Sequence, residues 1–390
     1  MMNAFAAIVL ASMVSRLGYQ MARSPVLPRF AQDLGATPEL LGLIVAASTV
    51  SGIFVKLPAG AISDLVGKKR LMLIGSLFFA GPPFLYPLIS TPTTLLLLRF
   101  LHGFATAIFS PVAAAYVADL TMERRGARLG WFTSANDVGS TVGPLIGGMV
   151  LFYTASYSAT YLLVGVLGIL PLLMVLRLPE PPASRGIEAD PLTARSKKFW
   201  QGLAEVLSSP PVLIVSGVEA MMYVGFGAFL GFLPTYGTSM SLNDAQITVV
   251  LGAQLATAML AKPLAGAASD RAGRKPVIII GLLVCAASLS LIFRVANLAA
   301  LIGLSALLGL GVAAVTPVTT ALVADLVKAG RMGSAMGVFG TIWDIGESAG
   351  PIVAGILIAQ IGYAHSFEVI SALLVTSAAL FAFSVRDLEK

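Results

Sequence analysis

Two short stretches of this chain nearly repeat one another, 206 residues apart. The first reads Gly60-Ala-Ile-Ser-Asp64-Leu-Val-Gly67-Lys68-Lys69-Arg70, and the second Gly266-Ala-Ala-Ser-Asp270-Arg271-Ala-Gly273-Arg274-Lys275. Each joins two long apolar runs by a loop too short and too basic to cross a bilayer. A recurrence at half the chain length implies two related halves. The repeat runs further than this loop. Pro111-Val-Ala-Ala-Ala-Tyr-Val-Ala-Asp119-Leu120 matches Pro317-Val-Thr-Thr-Ala-Leu-Val-Ala-Asp325-Leu326 at seven of ten positions, and Leu27-Pro28 pairs with Leu233-Pro234. After one inserted residue, Asp137-Val-Gly139-Ser-Thr-Val-Gly143-Pro144 matches Asp344-Ile-Gly346-Glu-Ser-Ala-Gly350-Pro351.

Hydrophobic residues make up 57% of the 390 and charged ones 11%, against roughly a quarter charged in soluble domains. So much apolar surface places the whole chain in a membrane. A bilayer core of about 30 Å needs about 20 residues of helix. Runs of that kind fall near 4–30, 39–63, 71–90, 93–119, 127–153 and 158–177, and again near 210–236, 245–269, 276–293, 297–324, 332–359 and 364–384. The expected fold is an all-α integral membrane protein, with twelve transmembrane helices in two pseudo-symmetric six-helix bundles. The N-terminal bundle covers 1–177 and the C-terminal bundle 210–390, with a polar linker over 178–209 that holds Pro179, Pro181 and Pro182. Within the linker, Phe199-Trp200-Gln-Gly-Leu-Ala-Glu205-Val-Leu has the pattern of a short helix lying on the membrane surface. Arg16 interrupts the first apolar run and no cleavage site follows it, so that run reads as a first span and not a removable signal.

The formal charge of +6 would suit nucleic acid were the basic residues clustered on one surface. They sit in short loops instead. With twelve spans, the linker side carries eighteen basic residues, from Lys68, Lys69 and Arg70 to Arg386 and Lys390, while the opposite side carries Arg29 and Arg294. That bias puts both termini and the linker in the cytoplasm of a cell-membrane protein. The partners expected are the lipid bilayer and a small-molecule substrate, not nucleic acid, and a monomer suffices to form the passage. Cys285 is a lone cysteine, and His102 and His365 lie far apart, so no disulfide or metal site is expected. No phosphate-binding loop or nucleophile cluster is visible. The chain reads as no enzyme, needing no cofactor and drawing on a proton gradient. A membrane enzyme would need such a cluster and a membrane sensor an appended soluble domain.

With these motifs in place, the chain resembles the major facilitator superfamily over essentially its whole length. The Gly-x-x-x-Asp-(Arg)-x-Gly-basic-basic loop is similar to that superfamily's signature between helices 2 and 3, echoed between helices 8 and 9. The gating residues this implies are Gly60, Asp64, Gly67, Lys68 and Lys69 in the first copy, and Gly266, Asp270, Arg271, Gly273 and Arg274 in the second. Leu65 stands in the first copy where the pattern prefers Arg, and Arg271 fills that place in the second. Arg99 with Gly103 resembles the helix-4 motif of proton-linked members. Gly139, Gly143, Pro144, Gly147 and Gly148 resemble the helix-5 motif of drug/proton antiporters. Glycines four apart also let helices approach closely, and Pro144 and Pro351 can loosen helices that must rock. A solvated basic loop is the plain alternative to a latch.

Ionisable residues inside the apolar runs cost about 2.5–3.5 kcal/mol each at the bilayer centre, so they normally face a cavity or a partner. At 1.5 Å per residue, Arg16, Asp137, Glu219 and Asp344 lie roughly 15–20 Å deep, with Glu347 one turn further and Arg99 about 9–11 Å from the other side. The proton-coupling candidates are Glu219, Asp344, Glu347 and Asp137, with Arg99 as counter-charge. A carboxylate whose surroundings alternate between dry and paired takes up and releases a proton. Asp137 and Asp344, beside Gly-Pro, serve a structural role equally well. In the family, helices 1, 4, 7 and 10 line the cavity, which implies Arg16, Tyr19, Gln20, Arg99, Thr106, Glu219 and Tyr223 as lining. Arg23, Lys56 and Lys262 sit near helix ends, where snorkelling accounts for them, and His102 reads as a packed polar residue. The function expected is proton-coupled, alternating-access antiport exporting small organic molecules or drugs. The alternative within the class is a proton symporter importing an organic anion through the arginines of helices 1 and 4.

Overall fold

A computed structural model describes residues 3–120, 125–179, 208–327 and 332–384. Residues 180–207 of the linker, with the expected surface helix, lie outside the described residues, as do Arg124, Lys328, Arg331, Arg386 and Lys390. The described residues form twelve α-helices, in chain order. They are α1 (Ala4–Met21), α2 (Val26–Asp33), α3 (Pro38–Val66), α4 (Lys68–Ala80), α5 (Pro92–Asp119), α6 (Arg125–Thr154), α7 (Tyr157–Leu176), α8 (Pro210–Ser239), α9 (Asp244–Ala272), α10 (Arg274–Ile292), α11 (Leu298–Leu326) and α12 (Met332–Ser384). Together α1 and α2 make the first span, and α12 makes the last two, turning at Gly362 with φ +73°.

The expected single helix over 4–30 is broken at Ala22–Pro25. Pro25 has no N–H to offer the preceding turn, so the helical ladder loses a rung there, and α2 restarts after it with Pro28 in its first turn, where a missing N–H costs little. A 3-10 stretch, Pro82–Leu88, likewise extends α4 where three prolines interrupt it.

Polar side chains fix the helix starts away from the basic loops. Thr37, Thr91, Ser156 and Asn297 each accept a hydrogen bond from a first-turn amide. Asn243 and Gln246 exchange amide bonds of 2.9 and 3.0 Å in a reciprocal cap. The basic loops use another device. Gly67 and Gly273 adopt φ of +100° and +89°, which only glycine takes without strain, so α4 and α10 start sharply after α3 and α9.

Contacts group the chain into two compact units, Met1–Arg185 with Leu230–Gly252, and Gly186–Phe229 with Ala253–Lys390. The repeat alone divides the halves at the linker. By contact, the last turns of α8 and the first turns of α9 belong with the first unit. There Arg29 pairs with Asp244 at 3.1 Å, Thr238 donates to Gln32 at 3.1 Å and Ser24 donates to the Leu230 carbonyl at 3.2 Å. The last two bonds each join residues 206 apart, so the repeat touches itself at equivalent positions.

Helix packing within each unit runs on small residues. A Cβ on Gly139, Gly143 or Gly147 would lie 2.5–2.6 Å from the carbonyl oxygens of Met13, Leu17 or Met21, so α6 is seated on the backbone of α1. In the second unit Gly346 and Gly350 seat α12 on Ala220 and Val224 of α8 in the same way. Gly103 admits Ser48 and Ser51 of α3, and Gly309, 206 residues on, admits Gln254 and Thr257 of α9.

Candidate functional site

Each unit buries a polar centre. In the first, Arg99 lies about two turns into α5 with 0% of its surface exposed. Its Nη2 donates to Ser48 of α3 at 2.8 Å. Nε and Nη1 make no hydrogen bond of good geometry, although the Tyr86 hydroxyl lies close to the guanidinium. The Tyr19 ring of α1 stands 5.6 Å from the guanidinium carbon, and its hydroxyl is near Ser48 and Thr106. His102 packs edge-on to Tyr19 and lies 3.1 Å from the Tyr86 hydroxyl. Tyr86 stacks in turn on Tyr161 at 3.9 Å. The centre is a guanidinium in a cage of phenols and hydroxyls, and no carboxylate pairs with it among the described residues.

Cation–π contact and phenol oxygens hold the charge with partial negative character. Such an environment tolerates a guanidinium while leaving it attractive to a further anion or phenolate. Of the expected lining residues, the fold thus brings Tyr19, Arg99 and Thr106 together. Arg16 is half-buried and donates to Ser140 of α6 at 3.0 Å, beside the glycine seat. Gln20 packs where a Cβ on Gly143 would clash with it. Asp137 is half-buried on α6.

The second unit buries a carboxylate. Glu219 of α8 is 1% exposed, and its Oε2 accepts from Thr319 of α11 at 2.7 Å. The positive field that reaches it comes from Lys262 of α9, which from the sequence alone reads as snorkelling. Arg99 belongs to the first unit and Glu219 to the second, and each has its own partners. One turn along α8, Tyr223 stacks on Trp343 of α12 at 4.8 Å and meets Phe226 edge-on. Asp344 is buried next to this wall, and Glu347 is half-buried with its carbonyl against Gly227.

At the basic loops, Lys68 pairs with Asp119 at the end of α5. In the second unit Arg274 pairs with Asp270 at 2.6 Å and Asp325 at 3.4 Å, and donates to Ser269 at 2.7 Å. Arg271 and Asp270 are exposed in the last turn of α9, and Lys69 is half-buried. Gly60 and Asp64 lie in α3, and the Asp64 side chain is outside the described ones. Gly266 has open space around it. Asp119 and Asp325 carry a signal that sequence reasoning left unused, since both stand in the repeated stretch at the same offset. Ser48, Tyr86 and Thr319 carry none, because neutral hydroxyls are common in such helices.

The sequence model of the Major Facilitator Superfamily matches residues 8–243 and 215–390. The chain belongs to this superfamily. An uncharacterized transporter of the superfamily from Methanocaldococcus jannaschii is 25% identical over 88% of this chain and 89% of its own length. The quinolone resistance protein NorA of Staphylococcus aureus is 27% identical over 58% of each chain. Among solved structures, a bacterial homolog of the human lysosomal transporter Spinster superposes with a TM-score of 0.82 at 15% identity, over 98% of this chain and 96% of its own. The nucleoside transporter NupG does so at 0.78 and 15% identity, over 99% of this chain and all of its own. The protein is a multi-pass membrane transporter of this superfamily, and not an enzyme.

Proposed function

We propose that this transporter is a proton-coupled antiporter that exports small organic molecules by alternating access. Its setting is the cell membrane, with linker and termini in the cytoplasm, and a monomer suffices. The observation that carries the reading is Glu219, a carboxylate held inside the second unit with one neutral hydrogen-bond donor. Burial disfavours the charged form of a carboxylate, while the Thr319 bond and the field of Lys262 favour it. A change of its surroundings during transport would therefore load and release a proton. The aromatic wall of Tyr223, Phe226 and Trp343 one turn away offers a face for flat, apolar cargo. The likeness to NorA supports export, and the glycine seat of α6 carries the motif associated with it. On this reading Lys68–Asp119 and Arg274–Asp325 are state-dependent latches.

The test is transport in proteoliposomes under an imposed pH gradient, with a fluorescent quinolone and planar aromatic cations outside and a pH dye inside. Proton flux opposite to cargo flux supports the antiporter. A folded protein that moves protons with none of them would count against it. Arg99 favours a second reading, import of an organic anion with a proton, because two of its nitrogens lack well-formed bonds. Cargo and protons moving together, with a carboxylate substrate, would mark that case.

A further inference from the structure

We propose that Thr319 is a positioning residue for the Glu219 carboxyl, turning its hydroxyl hydrogen bond between that carboxylate and the Val315 carbonyl as Glu219 changes protonation. The inference rests on the reading of Glu219 as the proton carrier.

Thr319 is fully buried in α11. Its Oγ1 lies 2.7 Å from Glu219 Oε2, 2.9 Å from the Val315 carbonyl and 3.1 Å from the Thr316 carbonyl. One hydroxyl carries one proton, so it donates to one of these oxygens at a time. An ionised carboxylate only accepts, and against it Thr319 must donate to Glu219. A protonated carboxyl has its own O–H, which donates to Oγ1 while the threonine proton turns to Val315. No bond to carbon changes in either state. The added proton arrives from and returns to water, and both carboxyl forms keep a partner at Thr319. A buried acid without such a partner would be held in one form by the cost of an unmatched polar atom.

The surrounding turn makes this more than a local convenience. Pro317 offers no N–H to the Ala313 carbonyl, so α11 lacks one rung there. Thr316 and Thr320 back-bond to the Val312 and Thr316 carbonyls at 2.7 and 2.8 Å. Threonine back-bonding bends helices. A proton on α8 thereby alters the hydrogen bonding of α11 at its weakest turn. Lys262 on α9 and Cys285 on α10 are the titratable groups that share a field with Glu219, and Asp344 and Glu347 stand on α12, which Gly346 seats against Ala220. None of them occupies the hydrogen-bonding position of Thr319. In the first unit, Ala113 stands 206 residues before Thr319, so the device has no counterpart on α5.

Infrared difference spectroscopy of the full protein in lipid tests this without any substrate. The wild type should show a protonated-carboxyl C=O band that titrates with pH and vanishes in Glu219→Gln. In Thr319→Val, which keeps the shape and loses the hydroxyl, the band should shift in frequency. Its titration midpoint should move by about one pH unit or more, a roughly tenfold change in proton affinity from one charge-assisted bond. Thr319→Ser should restore both, and Thr319→Ala replaces the valine variant should that one not fold. A wild-type band and midpoint retained in the hydroxyl-free variant would overturn the role of Thr319. The lack of any titrating band assignable to Glu219 would overturn the carrier reading beneath it.

Discussion

Gly103 in the first half and Gly309 in the second do the same work, each admitting the backbone of the neighbouring helix at Ser48 or Gln254. The residues one turn before them do not. Arg99 reaches Ser48 across that contact, whereas its counterpart Ser305 and Gln254 itself are buried with side-chain atoms that make no hydrogen bond. On the opposite seam the difference reverses. The glycine seats align Met13 with Ala220, 207 residues apart, which sets Ser12 where Glu219 stands. Ser12 donates to Asn136 at 2.9 Å, and Glu219 takes the bond from Thr319. A duplicated scaffold has thus kept its close-packed seams and diverged in the charges between them, cationic in one half and anionic in the other. Packing seams hardly tolerate change, because a single added carbon meets a backbone. Polar sites one turn away are free to specialise.

The largest effect should come from the seams. Gly143→Leu and Gly350→Leu each drive a side chain into a helix backbone, at a cost of about 3 kcal/mol or more. Both should yield little monodisperse protein by size-exclusion chromatography, and tolerance in one half alone would break the symmetry of the scaffold. Next comes Arg99→Met. No carboxylate among the described residues is left uncompensated when Arg99 goes, so methionine removes the cost of a buried charge and gives up one hydrogen bond to Ser48. The melting temperature should hold or rise while transport falls at least tenfold. A marked drop in melting temperature would make Arg99 a structural residue. The smallest effects on stability belong to the exposed pairs. Lys68→Ala and Arg274→Ala should each change unfolding free energy by about 0–1 kcal/mol. Transport should slow more for Arg274→Ala, because the second loop carries Arg271 where the first has Leu65, and Arg274 reaches both Asp270 and Asp325. Equal rates for the two variants would show that the loops work alike despite Leu65 and Arg271.

The fold was legible because its determinants are periodic. Apolar runs mark the spans, and the 206-residue offset that aligns Gly67 with Gly273 also aligns Lys68 with Arg274 and Asp119 with Asp325. The break at Ala22–Pro25 was less so, since prolines in membrane helices bend some and interrupt others. Buried charges were visible as residues that should not be there. Their partners were not. Which hydroxyl meets Glu219 depends on the rotation of α11 against α8, and Thr316, Thr319 and Thr320 are equivalent in composition. Tyr86 was hidden in a proline-rich turn whose 3-10 geometry carries its ring back over His102.

The central claim is that the proton step belongs to the second half, at Glu219. Proteoliposomes carrying Glu219→Gln should be compared with wild type in pH-gradient-driven transport and in counterflow exchange, which needs no gradient. The account predicts loss of driven transport with exchange retained. Driven transport at the wild-type rate in the glutamine variant would contradict it and move the search to Asp344, Glu347 and Asp137.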